Sequence, residues 1–205
     1  MSRYKGPRLK IIRRLGTPLP GLIRTDPDLR RPYPPGQHGP TKRKKLSDYA
    51  LRLMEKQKLR FHYGVSEKQL RRYVDKAFKS KGNSGVILLS LLERRLDNVV
   101  FRAGFAPTVP SARQMTRHNH IMVNGKRVNI PSYQLRPGDV VTVRETSKWK
   151  ERALEAMKDP NNLSSPTYLE VAEGAAQVTF KIIPERDDVP LDIEPQLIVE
   201  YYSGR

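Results

Sequence analysis

The side chains able to do chemistry in this 205-residue chain are few and poorly arranged for catalysis. His118-Asn119-His120 spells H-N-H, the letters of a nuclease motif. Nuclease residues of that name are separated along a folded hairpin and helix, whereas these three are adjacent, so neither catalysis nor metal binding is expected here. His38 and His62 have no companions at ligand spacing. There is no cysteine, which removes disulfides, thiolate chemistry and a cysteine zinc site. Lys81–Gly85 (KGNSG) superficially suggests a phosphate loop but lacks the G-x-x-x-x-G-K-[ST] spacing, and it reads as a helix-breaking turn. No G-x-S-x-G and no dinucleotide fingerprint is present. The Glu185–Asp188 acids, flanked by Pro184 and Pro190, read as a surface loop. No enzyme is predicted.

The chemistry that remains is cationic. Net charge is +18, from 39 Lys+Arg against 21 Asp+Glu. Such an excess repels itself unless a polyanion neutralises it. Its distribution is uneven. Residues 1–60 hold 17 Lys+Arg and 4 Asp+Glu, residues 61–160 hold 19 and 9, and residues 161–205 hold 3 and 8. The polyanion is therefore expected against the first three-quarters of the chain, and the acidic remainder against solvent, the protein's own body or a basic protein neighbour.

Nucleic-acid candidates follow from residue type and exposure expected of basic faces, loops and the arm. In the N-terminal part they are Arg3, Tyr4, Arg8, Arg13, Arg14, Gln37 and His38, with the run Lys42, Arg43, Lys44 and Lys45. In the middle they are Arg52, Lys56, Arg60, Arg71 and Arg72, and further on Arg95, Arg113, Arg117, Lys126 and Arg127. Arg and Lys supply charge-assisted bonds to phosphates, while Tyr, His and Gln can stack on or hydrogen-bond to unpaired bases. A solvated surface charge is the competing reading for each cation. RNA is favoured over DNA because a short basic helix followed by a hairpin suits an irregular phosphate-lined surface. A helix-turn-helix DNA reader would need an obvious recognition helix and a dimer interface, and neither is evident.

These residues need elements to hold them. Residues 1–46 are rich in Pro and Gly and poor in core residues, so they read as a basic arm ordered by a partner. A short helix is predicted over Arg8–Leu15 with Leu9, Ile12 and Leu15 on one side. Ser47–Tyr63 reads as a helix capped by Ser47 and stopped by Gly64, without a clean apolar stripe. Ser66–Lys81 is a second helix opened by a Ser66/Gln69 capping box, with Leu70, Tyr73, Val74, Ala77 and Phe78 on its apolar face. Val86–Phe101 is apolar nearly all round, one buried helix or two end to end, with a domain boundary near Arg94.

Beyond that boundary, Thr108 or Ser111 caps a helix ending near His118, with Ala112 and Met115 inward. Ile121-Met122-Val123, Asn124-Gly125 and Lys126-Arg127-Val128 form a hairpin, because both central residues of a type I′ turn need φ > 0. Pro137-Gly138-Asp139 turns into a strand at Val140–Val143. Ser147–Met157 reads as a helix ended by Asp159-Pro160, Asn161–Pro166 as loop, and Tyr168–Val171 with Gln177–Ile183 as a strand pair around Glu173-Gly174. Leu197–Tyr202 is apolar and should dock back on the body. The fold class is α+β: a basic extended N-terminal arm (1–46), a helical domain (47–93, completed by 190–205) and an inserted small α+β domain (94–189). The last contains an RNA-binding module (95–145) with a helix–helix–β-hairpin core. The longest apolar stretch, Val86–Leu92, is too short for a membrane span, and the N-terminus MSRYKGPRLKIIRRLG lacks the features of a signal peptide.

Six separate blocks carry a resemblance: RPYPPGQHGP (Arg31–Pro40), EKQKLRFHYG (Glu55–Gly64), LLERRLDNVVFRAGF (Leu91–Phe105), ARQ (Ala112–Gln114), HIMVNGKRVNIPSY (His120–Tyr133) and LIVEYYS (Leu197–Ser203). In this order the chain resembles the ribosomal small-subunit protein four family across essentially its whole length. The resemblance implies a primary binder of small-subunit (16S-type) ribosomal RNA that nucleates assembly of the subunit body. It implies a contact with small-subunit protein five that influences decoding accuracy. It places Lys42–Lys45 near the side where messenger RNA enters. One branch of the family holds zinc on four cysteines in the arm; this chain has none, so no metal and no cofactor is expected. The branch without cysteines occurs in bacterial cytoplasm and in plastids, and no membrane or small-molecule partner is implied. Two rival readings compete with this. An RNA-modifying enzyme would need a catalytic domain for which the chain has no room. A repressor of messenger translation would use the same surface.

Overall fold

The computed structural model describes residues 4–23, 31, 33–41, 46–158, 165–172 and 174–204. Two compact units emerge from the packing: residues 1–88 with 192–205, and residues 89–191. The described residues form an α+β fold of short helices and one antiparallel sheet.

The first unit is helical. Helix α1 (Arg8–Leu15) starts after Pro7 and stops at Gly16, which takes the left-handed conformation. It buries Ile11, Ile12 and Leu15, and these cluster with Leu19 and Leu22, with Ile23 and Phe61 packed alongside. This corrects two expectations. Leu9 is exposed rather than on the apolar side, and the N-terminal segment has a small core of its own. Helix α2 (Asp48–His62) is capped by Ser47, whose side chain accepts from the Ala50 N–H. Its buried positions are Lys56, Leu59 and His62, so two of the three are polar. That explains why the sequence shows no apolar stripe there. Helix α3 (Glu67–Lys79) is capped by Ser66, which accepts from Gln69 N–H. It buries Leu70, Tyr73, Val74 and Ala77 as expected; Phe78 instead is 42% exposed.

The apolar stretch resolves into two helices, α4 (Ser84–Glu93) and α5 (Leu96–Arg102). The division between the units falls inside α4. The break between α4 and α5 is paid for by neighbours: the first amides of α5, Leu96 and Asp97, donate to the carbonyls of Tyr133 and Pro131.

In the second unit α6 (Val109–Arg117) is capped by Thr108, not Ser111, through a bond from Ser111 N–H. Strands β1 (Ile121–Val123), β2 (Lys126–Arg127), β3 (Val140–Val143), β4 (Leu169–Val171) and β5 (Gln177–Phe180) form a single sheet in the order β2-β1-β3-β5-β4, all antiparallel. Met122 lies opposite Arg127 on one side and Thr142 on the other, and Val141 lies opposite Val178. Period-two alternation therefore puts Ile121, Val123, Val141, Val143, Val178 and Phe180 into one core with Leu96, Val99, Val100, Val109, Ala112 and Met115 of α5 and α6. Helix α7 (Trp149–Met157) adds Ala153 to that core. The expected stop at Asp159-Pro160, residues 161–164 of the expected loop, and Glu173 lie outside the described residues. Helix α8 (Pro195–Ser203) buries Ile198 and Tyr201 and packs on α2 within the first unit.

Candidate nucleic-acid interface

The hairpin tip is built from two residues at positive φ, Asn124 at 49° and Gly125 at 75°. That pairing is the I′ geometry which keeps β1 and β2 in register with their right-handed twist. The tip is braced from outside. Asn124 Nδ2 donates to Asp139 Oδ1 at 2.8 Å, and Asn124 Oδ1 accepts from Val140 N–H at 2.9 Å. Lys126 and Arg127, immediately after the tip, are both exposed. Arg117 and His118, at the end of α6, are exposed as well.

His120 does not join them as a free ligand. Its Nδ1 lies 2.8 Å from Ser147 Oγ and its ring is 6.0 Å from that of Trp149. Burial, then the positive charge of Arg144 and the nearby His118, holds its pKa below the ordinary histidine value. A base-like neutral imidazole therefore packs beside Trp149, whose ring also carries the Arg152 guanidinium at 5.5 Å. Among the described residues, no group of three or more His, Cys, Asp or Glu could hold a metal ion.

Two of the cationic candidates in this unit are internal. Arg95 is 0% exposed and grips Asp97 with two bonds, Nε to Oδ1 at 3.0 Å and Nη2 to Oδ2 at 2.9 Å. Arg113 reaches the same carboxylate, Nη2 to Oδ2 at 2.6 Å, with 15% of its side chain exposed. Arg95 thus has no surface with which to meet a phosphate, and Arg113 has little. Of the two candidates on α6, Arg113 and Arg117, only Arg117 is exposed. A second buried carboxylate, Glu93, takes Arg102 Nη2 at 2.9 Å, Tyr168 Oη at 2.6 Å and the Asn98 amide. Buried ions are held only when their remaining lone pairs are satisfied, and these two carboxylates meet that condition.

In the first unit Arg14, Arg71, Arg72, Gln37 and His38 face solvent. Others carry an internal bond too. Arg8 Nη1 donates to Leu22 O at 3.1 Å. Arg13 Nε donates to Tyr33 O at 3.1 Å and its guanidinium sits 5.1 Å from the Tyr33 ring centre. Tyr4 meets Phe61 edge to face at 5.4 Å. Arg13 thereby anchors the start of the Pro-Gly loop that presents Gln37 and His38. The loop turns tightly at Gly39, where a Cβ would collide with the Pro34 carbonyl oxygen. Lys56 is 4% exposed, bonds Glu67 at 3.0 Å and lies 4.8 Å from the Tyr201 ring, so it is a structural cation. Arg52 pairs with Glu200 at 2.8 Å but both stay largely exposed. Arg60 bonds Gln57 and stacks on Phe61 at 4.8 Å, leaving part of it open. Arg3 and Lys42, Arg43, Lys44 and Lys45 lie outside the described residues.

Sequence reasoning passes over Arg94 and Arg136. In the sequence Arg94 marks only a domain boundary, and no local pattern singles out Arg136. Only the pairing of the 94–95 and 134–135 segments brings them together.

A small α+β module with an exposed cationic hairpin and helix end defines an RNA-binding class of protein. Residues 3–93 match the model of the ribosomal protein S4/S9 N-terminal domain, and residues 94–141 match that of the S4 domain. The chain is 54% identical over 205 residues to small ribosomal subunit protein uS4 of Thermosynechococcus vestitus, covering all of both chains. It is 50% identical over 205 residues to the same-named protein of Brevibacillus brevis, spanning 99% of this chain and 100% of that one. With the protein of that name from Parasynechococcus marenigrum the identity is 55% over 207 residues, again over the full length of each. The chain belongs to the uS4 family of small-subunit ribosomal proteins. It is a family of structural, RNA-binding proteins rather than of enzymes.

Proposed function

We propose that this protein is a primary binder of small-subunit ribosomal RNA and nucleates assembly of the subunit body. The observation that carries the reading is the braced hairpin, which presents Lys126 and Arg127 on a rigid tip while Arg117 ends the adjoining helix. Rigid cations on a preorganised module lose little entropy on meeting a fixed RNA shape, so the same charges bind more tightly than a floppy tail would. The mechanism is counterion release plus shape recognition, with no bond made or broken. The functional organisation is a basic arm over residues 1–46, a helical domain over 47–93 completed by 190–205, and an α+β domain over 94–189. Arg14, Arg71, Arg72, Gln37 and His38 extend the contact from the first unit, joined by Arg3 and the Lys42–Lys45 run.

The acidic residues after 160 supply a different partner. We infer that they meet small-subunit protein five, and that this contact influences translational accuracy. Lys42–Lys45 meet messenger RNA where it enters; a crosslinking map without messenger contact there removes that part. The site of action is the ribosome, in bacterial cytoplasm or plastid stroma.

The test is filter binding of the purified protein to full-length small-subunit RNA across a salt series, with large-subunit RNA and duplex DNA as competitors. Tight binding that survives both competitors and weakens steeply with salt supports the reading. Equal loss to all three polyanions overturns it.

A further inference from the structure

Beside the hairpin lies a pair of like charges that the fold itself brings together. The segments 94–95 and 134–135 are bridged: Leu135 N–H donates to Arg94 O at 2.9 Å, and Arg95 pairs with Gln134. Arg94 then folds its side chain back so that Nε donates to Leu135 O at 2.9 Å. Its Nε is fixed, which leaves the two Nη groups at the end of a pinned arm. The next residue, Arg136, is exposed, and its charge is felt at Arg94. Burial first and Arg136 second hold the Arg94 pKa below the ordinary guanidinium value, against a smaller opposing pull from Asp139.

Asp139 is the nearby carboxylate; it keeps its charge, but both of its oxygens are held by neutral donors and neither forms an ion pair with the two arginines. Its Oδ1 accepts from Asn124 Nδ2 and its Oδ2 from the Arg136 backbone N–H, each at 2.8 Å. Among the described residues, neither guanidinium has an ion-pair partner. The same two bonds tie Arg136 to the hairpin tip, so the pair is continuous with the surface that presents Lys126 and Arg127. Two guanidiniums, neither in an ion pair, outweigh the single nearby carboxylate of Asp139 and form a receptor for an anion. A phosphate, with several acceptor oxygens, can take a fork from each.

We propose that Arg94 and Arg136 clamp a single phosphate of the RNA backbone between them. The clamp rests on the ribosomal RNA reading above and adds a contact that pins the register of the hairpin on its target. Arg94 is the preorganised half and Arg136 the half that closes.

The experiment compares the full-length wild type with R94Q, R136Q and the double variant. It reads the salt dependence of affinity for small-subunit RNA and the Tm of each free protein. Each single substitution is expected to lower the salt slope of log K by about 0.7–0.9. The double variant should lower it no further, because one phosphate is lost in every case. The Tm of R136Q should be equal to or above that of wild type, since a repulsion is removed. Additive slopes would mean two separate phosphates, and unchanged slopes would mean solvated charges; either overturns the clamp. A Tm of wild type that rises with inorganic phosphate, is flat in both single variants and is accompanied by unchanged RNA slopes would assign the pair to a free anion instead. If R94Q fails to fold, R136Q alone decides, because its side chain is exposed. If wild type shows no preference for small-subunit RNA, the ribosomal RNA reading itself falls and takes the clamp with it.

Discussion

Arg113 Nη2 lies 2.6 Å from Asp97 Oδ2, a contact that joins two successive helices across 16 residues and is shared with Arg95 from the turn before α5. The carboxylate is fully buried and carries two guanidiniums. It ties α5 to α6 beside their shared apolar core.

Replacing Asp97 with Asn should strand Arg95 as an unpaired buried charge. A loss of about 3–5 kcal/mol is expected, measurable as a shift of the denaturant midpoint. The pH dependence has a definite sign. Burial alone would raise the Asp97 pKa, but Arg95 and then Arg113 outweigh it and hold it below the usual 3.8. A depressed folded pKa contributes stability that is present above the unfolded value and is lost as pH falls toward and through the folded one. Wild-type stability should therefore drop on acidification below about pH 4, and the Asn variant should lack that component.

Neutralising Arg117, Lys126 or Arg127 should act on binding alone. Each is exposed, so Tm should stay within about 1 °C–2 °C, because surface substitutions change stability by about 0.5 kcal/mol or less. Each lost phosphate contact should lower the salt slope by about 0.7–0.9. Arg95→Gln should do the reverse, with a large loss of stability. A salt slope that survives all three exposed substitutions would take the hairpin surface out of the RNA contact.

Gly125→Ala tests the brace at the tip. A left-handed φ of 75° costs a residue with a Cβ about 1–2 kcal/mol. Stability should fall by that amount, and RNA affinity with it, because β2 carries both exposed cations of the hairpin. Chemical denaturation and filter binding on the same preparation separate the two effects.

In the first unit, Tyr202 Oη donates to Glu67 Oε1 at 2.6 Å, which ties α8 to α3. Tyr202→Phe should cost about 1 kcal/mol or less, because Glu67 stays partly solvated. Burial would raise the Glu67 pKa, but the bonds from Tyr202 and Lys56 together with nearby Arg60 bring it below 4.5. Its contribution should be full above that value and fade as pH falls through the depressed one, a trend visible in Tm against pH.

Several of these features were legible because they are local. The hairpin at Asn124-Gly125 follows from two adjacent residues that tolerate positive φ. The caps at Ser47 and Ser66 follow from a side-chain oxygen within three residues of an unpaired amide. The face of α3 follows from an apolar period of 3.6, and its one failure, Phe78, sits at the last turn where the helix outruns its core. The charge gradient along the chain is likewise a property of the sequence alone, and it pointed to a polyanion before any contact was known.

What only the tertiary structure decided is which charges are available. A list of residues weighs Arg95, Arg113 and Arg117 alike. Folding places Asp97 under the first two and leaves the third in water. Lys56 is buried because Glu67, a partner from another helix, makes burial affordable for a charged group. The union of the strands into one sheet rests on β3 pairing with β5, a register between segments that no local signal connects. The segments carrying Arg94 and Arg136 are joined only because that unit folds back on itself. Backbone geometry and caps are set by neighbours in sequence; the fate of a charge is set by neighbours in space.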